Sequence, residues 1–183
     1  QTYCNAVATN AIVFTNGVAG TTYAWTNSNT AIGLVAAGTG NIPVFTPTNS
    51  GTAPITATIS VIATANGCSR TAETFTITVN PSPAVAFSPA NQTICSGDTS
   101  TLVNLSSTTA GATFTWTAVQ PAGITGVVTS GTNTIPTQTL VNTTNAPITI
   151  TYAAVAATND ASACAGSTFN YTITVNPSPS ITE

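Results

Sequence analysis

Short runs in which every second residue is apolar, with threonine or serine between, recur along this chain. Phe75, Ile77 and Val79 alternate with Thr76 and Thr78. Ile55, Ala57, Ile59 and Val61 alternate with Thr56, Thr58 and Ser60, and Ile148, Ile150 and Tyr152 alternate with Thr149 and Thr151. A period of two with β-branched residues on both faces is the pattern of half-buried antiparallel strands, and helical periodicity is nearly absent. Asn16-Gly17, Gly38-Thr39-Gly40-Asn41 and Asn66-Gly67 supply turn chemistry between the runs. In the first half the pattern predicts seven short strands near residues 2–8, 11–15, 21–27, 32–37, 42–47, 54–65 and 71–79. Seven strands in such a length predict a two-sheet sandwich.

The pattern occurs twice. Phe75-Thr76-Ile77-Thr78-Val79-Asn80-Pro81-Ser82-Pro83 and Tyr171-Thr172-Ile173-Thr174-Val175-Asn176-Pro177-Ser178-Pro179 differ at one position and lie 96 residues apart. Gln1-Thr2-Tyr3-Cys4 returns as Gln92-Thr93-Ile94-Cys95, and Trp25 returns as Trp116, each 91 residues on. The chain therefore divides into two tandem units, residues 1–80 and 81–183, with residues 176–183 read as a linker plus the first strand of a following unit. Asn80, Pro81, Ser82 and Pro83 form the expected inter-domain linker, stiffened by two prolines that fix φ. Ala84-Val85-Ala86-Phe87 reads as the opening strand of the second unit and has no counterpart before Gln1. Ser180, Ile181, Thr182 and Glu183 hold the same place after the second Asn-Pro-Ser-Pro. Two expectations follow from that offset. Either the chain is a window on a longer array, in keeping with its lack of a signal peptide and initiator Met, or this tail donates a strand to the first unit of a neighbouring chain.

Composition narrows the function. Only 3% of the 183 residues are charged, against about 25% in an ordinary soluble domain. Arg70 is the sole cation, and there is no Lys, His or Met, while Thr supplies 41 residues. One Arg cannot release the counterions that nucleic-acid binding requires, nor hold an anionic membrane surface. No apolar run reaches the ~18 residues of a membrane span. Without His or Lys, neither a Ser-His-Asp triad nor a Ser-Lys or Schiff-base arrangement can be assembled. Glu73, Asp98, Asp160 and Glu183 are too scattered for a calcium cluster. The reading is of a protein that is not an enzyme, with no catalytic, metal or cofactor site.

Four cysteines at matching places point to disulfides and an oxidising compartment. Of the three pairings four cysteines allow, repeat symmetry favours Cys4–Cys68 and Cys95–Cys164, each closing one unit. Trp25 and Trp116, at alternating positions inside predicted strands, are the expected core aromatics. The alternative is that they and other exposed aromatics form a sugar-stacking platform.

The sequence Thr22-Tyr23-Ala24-Trp25-Thr26-Asn27, then Gly38-Thr39-Gly40-Asn41-Ile42-Pro43, then Ala53-Pro54-Ile55-Thr56, ending in Ile77-Thr78-Val79-Asn80-Pro81, resembles the PKD-like repeats of very long surface proteins in gliding, type IX-secreting bacteria. The resemblance covers both units. It implies an all-β chain of two tandem immunoglobulin-like β-sandwich domains, used as an extracellular stalk or adhesin filament. Its partners would be copies of itself or adjacent repeats of the same polypeptide, and surface glycans. Trp25-Thr26-Asn27-Ser28 and Trp116-Thr117-Ala118-Val119 lack the acidic residues that often follow this Trp in PKD domains. The rival reading is a carbohydrate- or surface-binding module.

Overall fold

The structure, a computed structural model, describes residues 1–179, so the expected donor tail Ser180, Ile181, Thr182 and Glu183 lies outside the described residues. The chain separates into two compact units. One comprises Gln1–Ser82 with Asp160–Cys164, the other Pro83–Asn159 with the chain from Ala165 onward.

In the first unit, β1 (Thr2–Cys4), β2 (Thr22–Asn27), β3 (Ala37–Thr39), β4 (Ile55–Ala65), β5 (Cys68–Ser69) and β6 (Glu73–Asn80) form one sheet. Its order is β1-β6-β4-β2-β3, with β5 added on β4. The β1–β6 pair is parallel and the other ladders are antiparallel. The alternating apolar residues place Trp25, Ala57, Ile59, Val61, Ile77 and Val79 on one buried face. Ile32, Leu34 and Ile42 cover that face from the opposite layer.

That layer departs from expectation. The strands predicted near 11–15 and 42–47 are reduced to one bridge, Ile12↔Ile42. Pro43 and Pro47 have no N–H to extend a ladder on the second of them. The segment near 32–37 opens with a single 3-10 turn, Thr30–Ile32, capped by Asn29, whose side chain accepts from the Ala31 amide.

The second unit contains β7 (Ala86–Ser88), β8 (Gln92–Cys95), β9 (Val103–Ser106), β10 (Thr113–Ala118), β11 (Ile124–Thr125), β12 (Ser130–Thr132), β13 (Thr134–Ile135), β14 (Val141–Asn142), β15 (Ile148–Ala157) and β16 (Ala165–Asn176). One sheet has the order β12-β10-β15-β16-β8, again with its first strand, β8, parallel to its last, β16. Opposite it lie β13-β9-β7 and the pair β11-β14. Here the covering layer is laddered and the sandwich is complete.

Both cores turn on the same cross-strand pair. Trp25 stands opposite Gly38, and Trp116 opposite Gly131. A Cβ on Gly38 would lie 2.2 Å from the Trp25 ring, and one on Gly131 would lie 2.6 Å from that of Trp116. Gly38 was expected in a turn; it is a strand residue whose missing side chain is the floor of the indole site. Both indoles are buried, at 3% and 2% exposure. Trp116 Nε1 donates to the Thr134 carbonyl at 2.9 Å, whereas Trp25 Nε1 has no hydrogen-bond partner among the described residues.

A second shared device is a buried asparagine. Asn49 donates to the Ala53 and Val79 carbonyls at 2.9 and 2.8 Å and accepts from the Gly51 amide at 2.9 Å. Asn142 does the same with the Ala146 and Val175 carbonyls, at 2.8 and 2.9 Å, and the Thr144 amide, at 2.9 Å. Each ties a loop to the closing strand. Asn142 also heads an Asn-Thr-Thr sequence that fits the glycosylation pattern, but its amide is fully engaged and the residue is 6% exposed.

Two predictions follow from these cores. Gly38→Ala and Gly131→Ala are each expected to destabilise their unit by about 1–3 kcal/mol, the usual cost of overpacking. Gly17→Ala, with open space around it, should change little. Urea unfolding followed by Trp fluorescence reads all three. The second prediction concerns Tyr152 and Tyr171, both fully buried in the second unit, where burial raises each phenol above its usual value of 10.0. An unfolded Tyr ionises near pH 10, so the stability these neutral phenols provide is complete below that pH and is lost as pH rises toward their folded values. Tyr152→Phe removes the phenol that donates to Gln138 Oε1, lowering stability at neutral pH by about 1 kcal/mol. It should also make the alkaline decline shallower. An unchanged alkaline slope in Tyr152→Phe contradicts this account.

Candidate functional site

The chemistry-bearing residues of this chain are its cysteines, and strand register decides where they stand. In the first unit Cys4 is opposite Asn80, the last residue of β6. Cys68 is opposite Ala65, at the far end of β4, whose other end places Ile55 against Val79. The ten residue steps from Ile55 to Ala65 span about 33 Å at ~3.3 Å per strand residue. A disulfide needs Cα atoms within about 7 Å, so Cys4 and Cys68 cannot meet. The second unit repeats the geometry. Cys95 is opposite Asn176 at the end of β16, while Cys164 precedes its first residue, Ala165, about 36 Å away by the same rise.

The expected pairs Cys4–Cys68 and Cys95–Cys164 are therefore not formed. The structure instead bonds Cys4 to Cys164, with Cα atoms 5.3 Å apart and 160 residues of chain between them. Cys68 and Cys95 are free and exposed. Repeat symmetry pairs the cysteines within each unit, but the parallel first strand puts its cysteine at the opposite end from the hairpin cysteine.

The turn that carries Cys164 belongs to the first unit and is held there by side-chain chemistry. Asn80 Nδ2 donates to Asp160 Oδ2 at 2.9 Å, and the Ser162 amide donates to Asp160 Oδ1 at 2.7 Å. The Ala163 amide closes the turn on the Asp160 carbonyl at 3.0 Å, with Ala163 at φ 45°. Asp160 is thus the organiser of the turn that presents Cys164 to Cys4, a role the sequence did not signal. Asp98 has the corresponding local task behind Cys95, whose amide donates to its carboxylate at 3.2 Å.

The expected linker residues are placed as follows. Asn80 is buried and ends β6; Pro81 and Pro83 are buried; Ser82 is exposed and its Oγ accepts from Asn5 Nδ2 at 3.3 Å. Among the described residues no three His, Cys, Asp or Glu side chains gather as a metal set. No helix among them is long and apolar enough to cross a membrane. A groove of about 630 Å³ opens in the first unit, lined by Val13, Phe14, Tyr23, Arg70, Glu73 and Phe75 among others.

No curated protein matches the chain. Among solved structures, mouse cadherin-23 repeats EC22-24 align with 12% identity and a TM-score of 0.36, covering 85% of this chain. This chain spans about half, 53%, of that cadherin chain. A Porphyromonas gingivalis W83 protein of unknown function aligns with 10% identity and a TM-score of 0.32, covering 88% of this chain and 87% of the other. Residues 92–179, the second repeat from β8 to the end of the described chain, match the family model described as a PKD-like domain.

Proposed function

We propose that this chain is a structural, extracellular repeat module that forms part of a bacterial surface filament or adhesin stalk. The observation that carries the reading is the Cys4–Cys164 bond, because it ties the opening strand of one repeat to the hairpin turn of the next along the chain. In a tension-bearing chain such a bond gives force a second covalent route. Both repeats hold the same Trp–Gly and Asn devices and the same parallel first-to-last strand pair, and the PKD-like match lies on the second repeat. Disulfide use fits an oxidising extracellular compartment. The rival carbohydrate-binding module needs exposed flat aromatics, and the two Trp residues offered for it are buried.

Localisation is tested by protease shaving of intact cells followed by peptide mass analysis. Peptides from both repeats should be released from the surface, and their recovery only after lysis would overturn the reading. The mechanical role makes a sharper prediction. When the chain is pulled from its two ends, the 160-residue loop closed by Cys4–Cys164 is shielded from force. Reduction should therefore release about 55 nm of additional contour at ~3.5 Å per residue. Cys4→Ser should match the reduced chain, and equal lengths with and without reductant would show that the bond carries no load.

A further inference from the structure

Cys68 and Cys95 occupy the same places as the two bonded cysteines. Cys95 is to the second repeat what Cys4 is to the first, the last residue of the strand parallel to the closing strand, opposite Asn176 as Cys4 is opposite Asn80. Cys68 corresponds to Cys164, each in the hairpin that leads into the closing strand and each 96 residues from the other in sequence. Cys4 and Cys164 are bonded to each other, so the chain shows one complete joint and also carries both halves of a second, unjoined.

An independent feature lies beside Cys68. The groove of about 630 Å³ in the first unit includes Arg70, Thr71 and Glu73, which follow β5 and open β6. Its wall at Val13, Phe14 and Thr15 corresponds to residues 104–106 of β9, because Cys and Trp on either side keep the same spacing of 91. In the second unit β7 pairs with β9, Phe87 opposite Leu105, and the Phe87 ring lies 5.3 Å from Tyr171. Phe14 and Phe75, the counterparts of Leu105 and Tyr171, line the groove with ring centroids 6.4 Å apart. Among the described residues no ladder covers them there, and Val13 and Val18 on the groove are 62% and 54% exposed.

Resting on the stalk reading, we propose that a second copy of this chain docks on the first unit, with its Cys95 bonded to Cys68. The segment following its Pro179 then fills the groove. In sequence β7 follows Pro81-Ser82-Pro83, and Ser180-Ile181-Thr182-Glu183 follows Pro177-Ser178-Pro179, so Ile181 is the sequence counterpart of Val85, which is 6% exposed. Docking adds a strand to an open edge, and the bond locks it. Bond formation requires a disulfide donor. The Cys68 thiolate attacks one sulfur of a low-molecular-weight disulfide and expels the first donor thiolate, giving a mixed disulfide. The Cys95 thiolate of the partner then displaces the second. One Cys68–Cys95 bond forms, the donor bond is broken and takes up the two electrons, and the two protons released by the cysteines go to the donor thiolates.

The test uses full-length Cys68→Ser and Cys95→Ser chains, each with Cys4–Cys164 intact, in a glutathione redox buffer. Mixed together they should give a covalent heterodimer whose linked peptides contain Cys68 and Cys95, while each alone stays monomeric on non-reducing gels. Deleting residues 180–183 from the Cys68→Ser chain should slow heterodimer formation by at least about tenfold, because docking supplies the effective concentration. Homodimers formed by each variant alone as fast as the mixture, or no dimer at all, would overturn the joint. An undiminished rate after the deletion would overturn the groove's occupant. Failure of the joint with surface shaving still positive leaves the stalk reading standing; a joint formed by a chain absent from the surface does the reverse.

Discussion

The parallel pairing of the first sheet strand with the last, β1 with β6 and β8 with β16, is the constraint from which most of this molecule follows. Antiparallel neighbours can be joined by tight turns, whereas a parallel neighbour must be reached by a long route through the rest of the unit. In each unit the sheet that carries the Trp therefore begins and ends, in chain order, on adjacent strands running the same way. The opening strand ends beside the residue where the chain leaves, and a cysteine at that position marks the exit. The β-hairpin ahead of the closing strand must then lie at the opposite end. Exit and hairpin cysteines of one unit are separated by the length of a strand, and the bond that forms joins Cys4 to Cys164 instead.

Surface chemistry is consistent with that economy. With one cation in the chain, the outer faces rely on hydroxyls, and the strands pair them directly. Thr56 meets Thr78 and Thr149 meets Thr174, each at 3.0 Å, on the solvent side of corresponding ladders. Cross-strand Thr pairs hold the sheet as opposite charges would, and they do so independently of salt.

The strands with clean alternation were legible from the sequence. β4, β6, β15 and the Trp-bearing β2 and β10 fall where period two places them, because one face of each meets a core. The covering layer was not legible in the first unit, where Pro43 and Pro47 interrupt a run that composition alone marks as strand. Gly38 was misplaced because glycine beside Gly40 and Asn41 reads as turn chemistry; only the indole of Trp25 above it explains its presence in β3. The cysteine pairing failed for a topological reason. Spacing along the chain carries no information about whether an opening strand runs parallel or antiparallel to its neighbour, and that single choice moves Cys4 from one end of the sheet to the other.

The two repeats are least alike where the first lacks a laddered cover. In the second unit Val103 is 0% and Leu105 8% exposed beneath β7, while their counterparts Ile12 and Phe14 are only partly buried. The unpartnered Trp25 Nε1, against the bonded Trp116 Nε1, marks the same unit as the less settled of the two. An orphaned buried donor costs about 1–3 kcal/mol, and missing strand contacts add to it. Under the proposed joint this weakness has a use. A unit that reaches full burial only when a strand docks on it gains stability at the moment of assembly, so the apolar area covered in docking favours the joined state before any disulfide forms. The covalent bond then fixes a contact already selected by packing, which makes the pairing of Cys68 with Cys95 a matter of fit and not of chance collision between exposed thiols.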